Sequence, residues 1–188
     1  MKYSVKSQPK QGETVNGDGY LIIEGEDYSV FCVIDGLGHG VKAHEVTELT
    51  RSYIEENISL DIEGLVRGCH GRLQRSRGVV LGLVLINWIE KRFSYIGVGN
   101  IEIRVISQNH VQPVSYPGIL GDNMEIVKRF DYPIETGMVF VLYTDGITSK
   151  IESEVFQEDK NPEEQAQYII QNYSRPHDDA TILIGVIE

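Results

Sequence analysis

The stretch that decides the fold reads Asp18-Gly19-Tyr20-Leu21-Ile22-Ile23, then Glu24-Gly25-Glu26-Asp27, then Tyr28-Ser29-Val30-Phe31-Cys32-Val33-Ile34-Asp35-Gly36. Two apolar runs rich in β-branched residues flank a short polar turn, which is the pattern of a β-hairpin. In a hairpin the start of one strand and the end of the next lie at the same edge. Asp18 and Asp35 hold those two positions and are expected side by side. Downstream the period changes. Val46, Leu49 and Tyr53 fall at helical spacing within a helix predicted over 39–57, and Asp61 caps a second over 62–74. Further strands are expected over 2–6, 78–88, 92–98, 101–107, 124–131, 138–144 and 181–187. Asn161-Pro162 opens a third helix running to 173. Too few helices separate these strands for a doubly wound parallel sheet, so the fold class is an α+β sandwich.

The chain has 188 residues, which predicts a single domain spanning 1–188. Its 28 Asp+Glu against 17 Lys+Arg give a formal charge of −11. That balance argues against a nucleic-acid binder, which needs clustered positive charge to displace counterions, and against attachment to an anionic membrane. No apolar run approaches the ~20 residues of a membrane span, and the first twenty residues lack the apolar centre of a secretory signal. Cys32 and Cys69 are far apart and lack metal-ligand spacing. Cys32, within an apolar strand, reads as a small buried hydrophobe. These features predict a cytoplasmic protein.

The hairpin argument extends to the other end of the chain. Asp145 follows the strand over 138–144, and Asp178-Asp179 precede the last strand. Antiparallel pairing of those two strands would bring these carboxylates together, so one sheet edge would gather four or five. Such a cluster repels itself, and an oxygen-only donor set selects Mg²⁺, Mn²⁺ or Ca²⁺ over zinc. Gly36 and Gly146, each directly after an aspartate, would permit a tight turn and expose a carbonyl. Asp-Gly is also a common turn dipeptide. The residues by themselves leave a metal site and a set of ordinary turns both open.

Asn16-Gly17-Asp18-Gly19-Tyr20, Val33-Ile34-Asp35-Gly36-Leu37-Gly38-His39-Gly40, Tyr143-Thr144-Asp145-Gly146 and Asp178-Asp179-Ala180-Thr181, in this order and spacing, resemble the metal-dependent serine/threonine protein phosphatases of type 2C. The bacterial sporulation and stress-response branch is the closer match, and the resemblance runs from about residue 12 to the C-terminus. It implies two packed antiparallel β-sheets flanked by α-helices. It also implies two divalent metal ions, Mn²⁺ or Mg²⁺, and attack of a metal-bridging hydroxide on phosphoserine or phosphothreonine with no phosphoenzyme. By resemblance Asp35 bridges both metals and the Gly36 carbonyl ligates one, while Asp145 and Asp178 ligate the other. Asp18 holds metal-bound water, and Asp179 stands beside the last ligand, where Asn is frequent. The partners implied are phosphorylated signalling proteins, with STAS-domain stressosome components as the expected substrates.

The chain departs from larger members of that family. Leu37 stands where they carry a proposed general-acid His, and Gly17 where they carry Glu. Only Lys2, Lys6 and Lys10 precede Asp18 in place of a phosphate-binding Arg. His39 and His177 are the candidates for proton donor or substrate contact, each also readable as a helix-start or loop residue. Arg67, Arg72, Arg75 and Arg77 form the dense basic segment, either a solvated helix face or a docking patch for an acidic partner. Residues 151–165 hold six acids against Lys160 and read as a solvated loop. Two other functions are weighed: a catalytically silent binding module on the same fold, and a two-metal nuclease, which the net charge disfavours.

Overall fold

The computed structural model describes residues 1–151, 155–156 and 161–188. Most of the acidic segment expected at 151–165 lies outside the described residues. The elements in chain order are β1 (Lys2–Gln8), β2 (Asp18–Ile23), β3 (Tyr28–Gly36), α1 (Val41–Asn57), α2 (Ile62–Arg72), β4 (Val79–Asn87), β5 (Arg92–Val98), β6 (Glu102–Ile106), β7 (Ser115–Tyr116), β8 (Phe130–Pro133), β9 (Val139–Tyr143), α3 (Pro162–Tyr173) and β10 (Ala180–Val186). One sheet has the order β1-β10-β9-β6. The other runs β2-β3-β4-β5-β7, with β8 also paired to β5.

Side-chain alternation shows how the layers stack. On β3, Val30, Cys32 and Ile34 join the cluster that includes Val46 and Ile54 of α1 and Leu65 of α2. The intervening Phe31 and Val33 face the other way, into a cluster with Phe140 and Leu142 of β9 and Leu183 of β10. Val139, Val141 and Tyr143 of β9 pack with Ile169 and Ile170 of α3. The layers are therefore helices, sheet, sheet, helix. Strands buried on both faces read as continuous apolar runs, since period-2 patterning has no wet side. Phe31 and Phe140 meet edge to face at 5.3 Å between the sheets, a geometry that aromatic quadrupoles favour.

Three expectations are corrected, and one strand, β7, is added. Residues 124–131 are not one strand. Met124 and Val127 join the core cluster that includes Leu65 and Val66 of α2, and the Arg129 amide donates to Glu63 Oε1 at 3.2 Å. A helix side chain thus satisfies that stretch, and pairing begins only at Phe130. β7, two residues between prolines, carried no periodicity to reveal it, and its pairing with β5 is parallel in otherwise antiparallel sheets. α1 starts at Val41 rather than 39, because Gly38 (φ 93) and Gly40 (φ 69) are left-handed and cannot extend a helix. α2 ends at Arg72 rather than 74. Two caps stand where expected: Asp61 accepts from the Gly64 amide and Asn161 from the Glu163 amide, both at 2.9 Å.

Candidate functional site

The β2–β3 register pairs Asp18 directly with Asp35. The β9–β10 register pairs Tyr143 with Ile182, which sets Asp145 and Asp178-Asp179 at one end of the other sheet. The carboxylates therefore come from two sheets rather than from one edge. They meet where the ends of the sandwich coincide, and Thr144 ties them: its Oγ1 donates to Asp18 Oδ2 at 2.8 Å and accepts from the Thr181 amide at 3.0 Å.

Gly146 sits in the expected tight turn, which the Ile147 amide closes on the Thr144 carbonyl at 3.0 Å, whereas Gly36 ends β3 instead of turning; neither has a positive φ. A Cβ on Gly36 would lie 2.4 Å from the Ala43 carbonyl oxygen and 2.6 Å from Thr47 Oγ1 of α1. One on Gly146 would lie 1.7 Å from the Asp179 carbonyl oxygen. Both glycines let neighbouring backbone close against the loop that bears an aspartate.

Asp35, Asp145 and Asp178 line one cavity of about 660 Å³, with His39 and Asn100 also in its wall and Pro117 and Ile119 on its apolar side. Burial, followed by repulsion from Asp18, Asp145, Asp178 and Asp179, raises the Asp35 carboxyl to about 8. Burial is also the main cause that raises Asp18 to about 7, against the pull of hydrogen bonds from Thr144 and Thr181. Asp145 is raised by burial and Asp178, with Arg175 and the Asn100 amide opposing. Asn100 Nδ2 donates to Asp145 Oδ2 at 2.7 Å.

Among the described residues no group of three or more His, Cys, Asp or Glu side chains stands ready to hold a metal ion. The donor set nevertheless fits a hard divalent cation in kind. It is oxygen-only and desolvated, and every influence on Asp35 raises its pKa, none of them from a cationic side chain.

The other expected residues separate. Asp179 is buried, but its Oδ1 accepts from the Lys10 amide at 2.8 Å and its Oδ2 from the Gly17 amide at 3.0 Å. It works as a clamp on the 10–17 loop. His39 lies in the loop before α1, with Nδ1 2.6 Å from Glu13 Oε1. His177 is exposed and absent from the cavity wall. Arg67, Arg72 and Arg75 are exposed along α2 and the turn after it. Arg77 alone of the four reaches the Asp35 loop, where its Nη1 donates to the Leu37 carbonyl at 3.3 Å. Sequence reading missed Glu13, Asn100 and Thr144. Only Thr144, next to Asp145, carried a local signal.

An αββα sandwich with carboxylates gathered at one end is the architecture of a known class. The chain belongs to the family described as Stage II sporulation protein E (SpoIIE), whose model matches residues 25–186. It is 25% identical over 179 residues to the phosphoserine phosphatase RsbX of Bacillus subtilis (strain 168), covering 94% of this chain and 89% of that one. Two solved structures share its fold. One, described as RsbX in complex with magnesium, has a TM-score of 0.88 at 23% identity and covers 99% of this chain and 94% of that chain. The other, from work on the bacterial stressosome as a modular system adapted to control secondary messenger signalling, has a TM-score of 0.91 at 24% identity, with 97% of each chain covered. Among the described residues no helix is long and apolar enough to cross a membrane.

Proposed function

We propose that this chain is a metal-dependent protein serine/threonine phosphatase, with residues 1–188 forming one catalytic unit. The observation that carries this reading is the convergence of Asp35, Asp145 and Asp178, from two sheets, on one cavity. Asp35, the Gly36 carbonyl, Asp145 and Asp178 would hold two divalent cations, Mn²⁺ or Mg²⁺, with Asp18 behind them and Asp179 bracing the loop. When bound, such cations supply an activated water and neutralise charge developing on a phosphoryl group. The chain's own residues do the rest. Thr144 fixes Asp18, Asn100 orients Asp145, and the close approach of α1 to Gly36 holds the Asp35 loop rigid.

The substrates in this reading are phosphoserine and phosphothreonine proteins of a signalling complex, specifically STAS-domain stressosome components. The likeness to phosphoserine phosphatase RsbX supports a phosphoserine substrate, and the likeness to the structure from work on the bacterial stressosome supports a signalling complex. The exposed Arg67, Arg72 and Arg75 would dock such a partner. A cytoplasmic setting suits Cys32 and Cys69, both free and buried thiols.

The test uses p-nitrophenyl phosphate and a phosphoserine peptide with Mn²⁺. Wild type should turn over both, EDTA should abolish activity, and Asp35→Asn should lower kcat at least 10²-fold. Wild-type protein inert on both substrates would refute the reading. It would favour instead a silent binding module.

A further inference from the structure

Among the described residues, the cavity wall contains one titratable side chain that is not a carboxylate, His39. Its Nδ1 lies 2.6 Å from Glu13 Oε1, which is charge-assisted hydrogen-bond distance. A ring nitrogen committed to a carboxylate sets the orientation and tautomer of an imidazole and leaves Nε2 for other chemistry.

Glu13 is itself held. Its amide donates to the Lys10 carbonyl at 3.0 Å, and the Gln11 amide, two residues back, donates to the Pro176 carbonyl at 3.0 Å. The Lys10 amide is bound by Asp179 at 2.8 Å. A line of contacts thus runs from the buried Asp179 through the 10–13 turn to Glu13, and from Glu13 to a histidine in the wall of the carboxylate cavity. The charged groups around the pair are Lys10, whose Nζ is 3.8 Å from Glu13 Oε1, Arg77 on the Leu37 carbonyl, and Asp35, Asp145 and Asp178 across the cavity.

We propose that Glu13 is a positioning residue that holds His39 as the proton donor to the leaving seryl oxygen, through the 2.6 Å Glu13–His39 contact at the cavity wall. This rests on the phosphatase reading above. In the step, the bond between phosphorus and the seryl oxygen breaks and its electron pair stays on that oxygen. The attacking water oxygen forms the new bond to phosphorus. His39 gives its Nε2 proton to the seryl oxygen, and a proton from the attacking water restores it. Serine and inorganic phosphate are the products. Nδ1–H remains on Glu13 throughout, so the ring keeps its aim while Nε2 loses and regains a proton.

The leaving group provides the test. A seryl alkoxide needs a proton as it departs, whereas p-nitrophenolate is a stable anion and needs it far less. His39→Asn and Glu13→Gln should lower kcat on a phosphoserine peptide on the order of 10²-fold, and on p-nitrophenyl phosphate by no more than about ten-fold. Glu13→Asp should recover part of the loss. ¹⁵N spectra should show the His39 Nδ1–H resonance in wild type and its loss in Glu13→Gln. Equal losses on both substrates would mean that the pair only braces the 37–40 loop, and no loss on either would mean another donor. Each result overturns the proposal. Wild-type protein inactive on both substrates fails at the phosphatase reading itself, a different outcome from either.

Discussion

Asp35→Asn should abolish activity and yet make the metal-free protein more stable. The folded Asp35 carboxyl titrates at about 8 because it is buried and faces Asp18, Asp145, Asp178 and Asp179, against an ordinary 3.8. Between those values the folded chain keeps a proton that the unfolded chain has released. Stability therefore falls as pH rises through this window and is fully retained below about 4. From 3.8 to 7 is about three pH units, so at 1.36 kcal/mol per unit the charge costs about 4 kcal/mol at pH 7. That is an upper bound, because Asp18 shares the same repulsion. For a domain of this size it corresponds to a rise in Tm of about 10 °C.

The assay is thermal or urea unfolding in EDTA, for wild type and Asp35→Asn, at pH 4.5, 6 and 8. The gain should be about 1 kcal/mol at pH 4.5 and largest at pH 8. Added Mn²⁺ should raise the Tm of wild type and leave the variant unmoved, since a ligand that binds only the folded state stabilises by mass action. A variant no more stable than wild type at pH 8, or equally stabilised at all three pH values, would refute the repulsion argument.

Two further outcomes are expected. Gly146→Ala would place a methyl group 1.7 Å from the Asp179 carbonyl oxygen; overpacking of this kind costs about 1–3 kcal/mol or more, and Asp145 should be displaced with it. Urea midpoints and activity should fall together, and a variant with full activity would refute the close-packing account. Arg72→Glu with Arg75→Glu should lower kcat/KM on the protein substrate about ten-fold if those exposed arginines dock it. Losses of equal size on p-nitrophenyl phosphate would refute docking.

The residues that proved legible in the sequence share a property: each depends on neighbours in the chain. The β2–β3 hairpin needs only a four-residue turn and two apolar runs, so the pairing of Asp18 with Asp35 followed from local pattern. The Asp61 and Asn161 caps act within three residues of themselves. Residues 124–129 differ from the expected strand because apolar side chains such as Met124 and Val127, spaced among charged ones, look the same whether their backbone pairs in a sheet or only packs on the core.

What the sequence by itself determined is which aspartates stand at strand ends and that their donor set is oxygen alone. Only the tertiary structure decided how they meet. Thr144 and Asp18 are 126 positions apart, Asn100 and Asp145 are 45 apart, and Glu13 reaches His39 across two strands. Such contacts arise when two separately encoded sheets stack on a shared apolar core. The side chains that aim the carboxylates and the histidine leave no periodic trace, because packing rather than propensity puts them there.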